Sequence, residues 1–303
     1  MRELFWFFIF PGFLFSSAIG LFLTWVDRKV TARIQWRVGP PIYQPFADFF
    51  KLLSKETLIP DGASKLLFLI APIISVFAMS AVGAMLIIMN FYPTSSFMGD
   101  LIVIIYLLAL PPLATIIGAS ASKNPLSAVG ASREMTLYFG YELPFITAIL
   151  VAIIKTGGEI RIGEIVMFQE MYGPILYSIS GVTATIVILV CMQAKLGYVP
   201  FDIAEAEQEL MAGVYTEYSG FALALFKLTK AMMLFLLPCL IITLFWGGIA
   251  SWFAILKLLL FVVLIILIKN TNPRLRIDQS LKFFWIGLMP LAVLGIVLAF
   301  FGL

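Results

Sequence analysis

Glu142 is a carboxylic acid inside an apolar run from 135 to 154, and Glu134, Tyr138 and Glu142 recur at i, i+4 and i+8. On a helix that spacing stacks the three along one stripe. An ionisable group placed within hydrocarbon costs about 2.5–3.5 kcal/mol on insertion scales, so such groups are normally kept for function. Glu142 would lie roughly 13 Å into the run at 1.5 Å per residue. Carboxyls that burial can hold neutral, spaced along one stripe, have the makings of a proton wire. A static ion pair is the alternative, with Lys227 or Lys230 as partner.

Lys227 and Lys230 sit three residues apart, one to two turns into another apolar run at 221–244. Buried lysine changes protonation readily, which suits the same wire. Lys257, near the end of a further run, reads as a snorkelling residue. Between these runs, Pro200 to Gly220 reads PFDIAEAEQELMAGVYTEYSG and holds five carboxylates: Asp202, Glu205, Glu207, Glu209 and Glu217. If 201–210 is helical, Asp202, Glu205 and Glu209 share a face while Glu207 points away. Clustered carboxylates titrate as a coupled set and can hold protons near neutral pH. Pro200-Phe201 on one flank and Tyr215 and Tyr218 on the other predict that this connection folds back into the protein rather than into water. It would then line the entrance of a path leading to Glu142 and the lysines.

The elements that position these groups follow from composition. Of 303 residues, 62% are hydrophobic and 12% charged, with mean hydropathy +1.05, whereas soluble domains carry about 25% charge. The chain is expected to be an all-α integral membrane protein, a single transmembrane domain over 1–303. Eight runs reach the roughly 20 residues a span needs: about 4–26, 66–90, 101–120, 135–154, 174–194, 221–244, 252–269 and 282–301. No small-x-small cleavage site follows the first, so it is expected to be retained. Fourteen of the twenty lysines and arginines fall in the odd-numbered loops or at their edges. The positive-inside rule then places those loops in the cytoplasm and both termini outside. In the first loop, Phe46, Phe49, Phe50 and Leu53 oppose Asp48, Lys51 and Lys55, so 44–56 reads as an amphipathic helix at the membrane surface or against a partner.

Some chemistry is excluded. There is no histidine, which removes imidazole-ligated haem, the usual zinc and copper sites, and imidazole acid–base work. Cys191 and Cys239 lie in apolar runs and read as small core residues. No phosphate-binding glycine loop occurs, and neither a metal site nor a nucleic-acid partner is expected. Any redox cofactor would lie on another chain.

Several long motifs, in order, carry a resemblance over essentially the whole length. They are Asp27-Arg28-Lys29 with Gln35-x-Arg37-x-Gly39-Pro40; Gln44-Pro45-x-Ala47-Asp48-x-x-Lys51-Leu52; Gly130-Ala131-x-Arg133 with Tyr141-Glu142; Pro200-Phe201-Asp202 with Glu205-x-Glu207-x-Glu209-Leu210 and Glu217-Tyr218; and Pro273-Arg274-x-Arg276-x-Asp278-Gln279. The chain resembles the eight-helix component of respiratory complex I that adjoins the quinone chamber, the NADH dehydrogenase subunit 1 or NuoH type. GASRE at 130–134, DIAEAEQEL and EYSG resemble the versions in membrane-bound group 4 [NiFe]-hydrogenases and related archaeal ferredoxin-oxidising complexes. Tyr198 stands near where the respiratory version usually has arginine, Lys230 where it usually has glutamate, and the first loop is short at GPPIYQP. Those departures point away from quinone binding.

The resemblance implies a non-catalytic subunit of an oxidoreductase complex that docks a hydrophilic electron-transfer arm. Arg28, Lys29, Arg33 and Arg37 in the first loop, with Arg274, Arg276 and Asp278 in the last, look like its docking residues; read alone, those basic loops are equally topology determinants. It implies iron–sulfur clusters and a NiFe centre on the hydrophilic iron–sulfur and large catalytic partner subunits, with antiporter-like membrane neighbours and a plasma-membrane location. The leading expectation is therefore a membrane anchor and proton-path component of a redox-driven ion pump of the membrane-bound hydrogenase or sulfane reductase type. The other readings are the quinone-site subunit of a respiratory NADH:quinone oxidoreductase and a stand-alone secondary transporter.

Overall fold

The computed structural model describes residues 2–303, without the side chains of Arg2, Glu207 and Gln208. Every regular element among the described residues is helical: α1 (Arg2–Phe8), α2 (Phe13–Ile34), α3 (Gln44–Leu53), α4 (Lys65–Phe91), α5 (Asp100–Ala121), α6 (Pro125–Lys155), α7 (Ile162–Tyr172), α8 (Ile179–Lys195), α9 (Glu207–Leu210), α10 (Gly220–Phe245), α11 (Ala254–Thr271), α12 (Ile277–Lys282) and α13 (Met289–Phe300). A π-helical turn, Phe283–Leu288, fuses α12 to α13. Seven helices or fused pairs are long and apolar enough to cross a membrane; α8, at 17 residues, is apolar but shorter. In hydrocarbon a helix satisfies its own backbone hydrogen bonds, which is why so apolar a chain takes this form.

The bundle is built around α10, whose apolar window is 94% buried, against 22% for α11 and 28% for the α12–α13 helix. It packs on α2, α4, α3, α11, α7 and α8. Gly20 of α2 lies where any Cβ would strike the Ala231 carbonyl of α10, so only glycine permits the close crossing of these two helices. That crossing brings Asp27, near the inner end of α2, and Lys230 of α10 to the walls of one cavity. In α5, Pro111 and Pro112 interrupt the hydrogen-bond ladder, and Thr115 Oγ1 donates to the Pro112 carbonyl at 2.7 Å beside the charged groups.

Three expectations change. The first span is broken at Pro11-Gly12 and its second part runs on to Ile34, which puts Asp27 and Arg28 on a helix rather than in a loop. The fifth segment starts at Ile179, not at 174: Gly173 takes φ +93 and the Ser178 hydroxyl caps α8 by accepting from Gly181 N at 3.1 Å. The preceding connection instead holds α7, pinned where Asp100 accepts from Ile162 N at 2.9 Å and Gln169 donates to the Thr243 carbonyl at 2.9 Å. Finally, 201–210 is not one helix. Only Glu207–Leu210 is helical, and Phe201, Ile203, Ala204, Ala206 and Leu210 are buried in a series of turns without a 3.6 period.

Candidate functional site

Two cavities share one wall. The smaller, about 30 Å³, is lined by Glu134 of α6, Lys195 of α8, Glu205 of loop five and Lys230 of α10, with Thr115, Thr229 and Tyr215 among its other residues. The larger, about 850 Å³, opens between α2, α3, α10 and loop five and has Glu205 and Lys230 in its wall as well. These two side chains form an ion pair, so the pair partitions an open chamber from an enclosed one. A water needs roughly 10–15 Å³ and two to four polar partners. The small cavity meets both requirements.

Beyond it lies a second pair. Lys195 Nζ donates to Glu142 Oε2 at 2.8 Å, with the lysine side chain fully buried and the carboxylate 11% exposed. The ammonium also sits 4.5 Å from the centre of the Phe145 ring, a cation–π contact that replaces part of its lost hydration. Desolvating two such charges is favourable only as a pair; removing one partner from a buried pair costs about 3–5 kcal/mol. Glu142 therefore pairs with Lys195, not with Lys227 or Lys230. Nothing in the sequence warns of this, because Lys195 ends an apolar run and counts there as a solitary loop base.

Glu134 and Glu142 do lie along α6 as expected, and Lys195 joins them, bonded to one and lining the small cavity with the other. Tyr138 is half-buried and edges against Tyr141 at 5.8 Å. The Tyr141 hydroxyl is buried without a hydrogen-bond partner among the described residues.

Loop five is held by contacts from both sides. Tyr218 stacks on Phe68 at 4.1 Å and donates to its carbonyl at 3.2 Å. Gly213, at φ +49, lies where a Cβ would strike the Ala204 carbonyl. Asp202 pairs with Arg274 at 2.6 Å, and Leu275 N donates to the Pro200 carbonyl at 3.0 Å. Burial pushes the Asp202 carboxyl above its ordinary pKa, and the Arg274 guanidinium opposes that rise. Glu209 is exposed and paired to Arg133 at 2.8 Å, whose guanidinium holds its pKa down. Glu217 accepts from Asn124, the N-cap residue of α6. The Glu207 side chain lies outside the described residues. The five carboxylates are thus divided among different partners and do not form one face.

Lys227 is exposed on the wall of the larger cavity, with no ion pair among the described residues. On the opposite wall, Asp27, buried on α2, pairs with Lys269 at 2.7 Å, and Lys269 lies 4.5 Å over the Tyr198 ring. Asp27 is a site residue that the sequence analysis does not single out, since it closes the first apolar run; a carboxylate so near a span is the signal that could have found it. Of the basic loop residues, Arg28 pairs with Asp48 at 2.7 Å and holds that carboxylate's pKa down. Lys29 donates to the Val38 carbonyl at 3.0 Å, and Arg276 lies 3.6 Å from Asp278. Arg33 and Arg37 are exposed without ion pairs among the described residues.

The family model described as NADH dehydrogenase matches residues 8–300. The NuoH subunit of the NADH-quinone oxidoreductase of Thermomicrobium roseum is 35% identical over 316 residues, covering 93% of this chain and 92% of that protein. Its namesake in Bacillus cytotoxicus is 35% identical over 318 residues, covering 96% and 93%. A chain in the solved structure of the membrane-bound sulfane sulfur reductase, an archaeal respiratory membrane complex, superposes with a TM-score of 0.85 at 29% identity, covering 95% of this chain and 96% of that one. The chain belongs to the NADH dehydrogenase family of membrane subunits.

Proposed function

We propose that this chain is the membrane-anchor and coupling subunit of a multisubunit redox-driven ion pump of the membrane-bound hydrogenase or sulfane reductase type. The Glu205–Lys230 pair, as the shared wall of the two cavities, is the observation that carries it. A proton arriving in the open chamber meets that pair, passes through the small cavity by way of Glu134 and bound water, and reaches Lys195 and Glu142. Each station is a carboxylate or an amine able to gain or lose a proton, with its partner balancing the charge it leaves behind.

In this reading the chain crosses the plasma membrane eight times, α8 being the short fifth span, with both termini outside. The amphipathic α3 lies along the cytoplasmic surface. Arg33 and Arg37, with Arg274, Arg276 and Asp278, face the hydrophilic arm. That arm holds the iron–sulfur clusters and the catalytic centre, is reduced by ferredoxin, and works beside antiporter-like membrane neighbours. Glu142→Gln keeps the shape of the side chain and removes its charge. Complexes with this variant are expected to assemble and pass electrons to a soluble acceptor at a reduced rate while pumping no ions; normal pumping by them would refute the assignment.

The chamber of about 850 Å³ favours one second reading, quinone reduction, because relatives of this length are named for it. Protection of residues 205–217 from chemical labelling by a quinone analogue would support that reading. No protection supports the hydrogenase-like one.

A further inference from the structure

The larger cavity is walled by six cationic side chains, Arg28, Lys51, Lys55, Lys227, Lys230 and Lys269, against three carboxylates, Asp27, Asp48 and Glu205. Each carboxylate already has its partner: Lys269 on Asp27, Arg28 on Asp48, Lys230 on Glu205. Lys51 and Lys55 on and just beyond α3, and Lys227 on α10, are left without an ion pair among the described residues. Much of the remaining wall is apolar, from Leu21, Phe49, Leu52, Leu223 and Phe226. An excess of positive charge beside such a wall suits an amphiphile with an anionic head and fits a neutral ligand poorly.

We propose that this cavity binds an anionic phospholipid, its phosphate held between Lys51, Lys55 and Lys227 and its acyl chains lying against the apolar wall. Position favours a lipid over a soluble anion: the cavity is bounded by two long apolar helices, α2 and α10, and roofed by the amphipathic α3, so it opens at the depth of the headgroups. Basic side chains at that depth attract anionic headgroups. The bound lipid would supply the missing negative charge and tie α3 to α10. This inference rests on the membrane placement proposed above and not on the proton path; loss of lipid with pumping intact, or the reverse, separates the two.

The test uses the assembled complex, reconstituted into nanodiscs of phosphatidylcholine with one-fifth phosphatidylglycerol and then extracted into mild detergent, with retained lipid counted by native mass spectrometry. The wild-type complex is expected to keep about one phosphatidylglycerol at this site. The triple variant Lys51→Gln, Lys55→Gln, Lys227→Gln is expected to hold it roughly a hundredfold more weakly, at about fivefold per lysine removed. Lys282→Gln, which removes one positive charge away from the cavity, serves as the control and should retain it. Co-purification of the partner subunits shows that the triple variant has folded. Equal retention by wild type and triple variant, or none by wild type, would overturn the proposal. So would displacement of the lipid by millimolar inorganic phosphate, which would make a soluble anion the occupant.

Discussion

Lys195 and Glu142 touch at 2.8 Å with almost no access to water, and each is tolerable there only because of the other. One of them is legible in the sequence: a glutamate amid apolar residues needs a reason. Its partner is not, since position along the chain does not tell which way a side chain at a helix end will point. The same holds for Asp27 and Lys269. Asp202 carries a different prediction. Its pKa is raised by burial and partly restored by Arg274, so between its ordinary and raised values the folded chain binds more protons than the unfolded one, and stability falls as pH rises through that window. Removing Arg274 widens the window. Arg274→Gln is expected to lose about 1 kcal/mol more stability than wild type on going from about pH 4 to pH 7, one pKa unit being about 1.4 kcal/mol. Thermal unfolding across that range checks it, and parallel pH profiles for the two would contradict it.

Loop five shows why an element can be misread while its role is read well. Its composition, DIAEAEQEL, favours a helix, and the carboxylate spacing invites one. Tertiary contacts decide otherwise: turns bury Phe201, Ile203 and Ala204, residues that no single helical face could bury together, and the backbones of Gly213 and Ala204 meet too closely for a side chain. The flanking aromatics do signal the fold back into the bundle, and Tyr218 stacked on Phe68 fulfils that expectation. Gly213→Ala forces a Cβ into the Ala204 carbonyl at a positive φ, a strain of about 1–3 kcal/mol. The variant is expected to insert in the membrane normally yet expose loop five to protease several-fold faster, and wild-type protection would show that the contact is dispensable. The α6 end of the same loop is tied by Asn124, which caps α6 through Leu126 N at 2.8 Å and also bonds Glu217. Asn124→Ala is expected to lower stability by about 1 kcal/mol, measurable as a shift in the thermal midpoint.

At the scale of the whole molecule, hydropathy is enough to place all the long helices, because a span must be apolar over its full length whatever it packs against. What hydropathy cannot show is which helix is central, since lipid and protein neighbours are equally apolar to it; α10 and α11 have nearly the same composition but opposite burial. Nor can it reveal the cavities, which depend on how far apart α2, α3 and α10 are held. The exposed Arg33 and Arg37 belong to this scale too. Charges at the rim of an interface act mainly on association rate and salt dependence, so Arg33→Glu with Arg37→Glu is expected to weaken retention of the hydrophilic arm about tenfold at low salt, with the difference shrinking at high salt. Co-purification across a salt series reads this directly.

The central claim is that the buried charges conduct protons rather than merely hold helices together. Replacing both members of the inner pair, Glu142→Leu with Lys195→Met, leaves no unpaired charge and is expected to keep stability close to wild type, unlike either single change. Ion pumping per electron transferred, measured on that double variant in reconstituted vesicles, is the most direct test. The account predicts an assembled complex that transfers electrons and pumps nothing; a stable double variant that pumps at the wild-type ratio would contradict it.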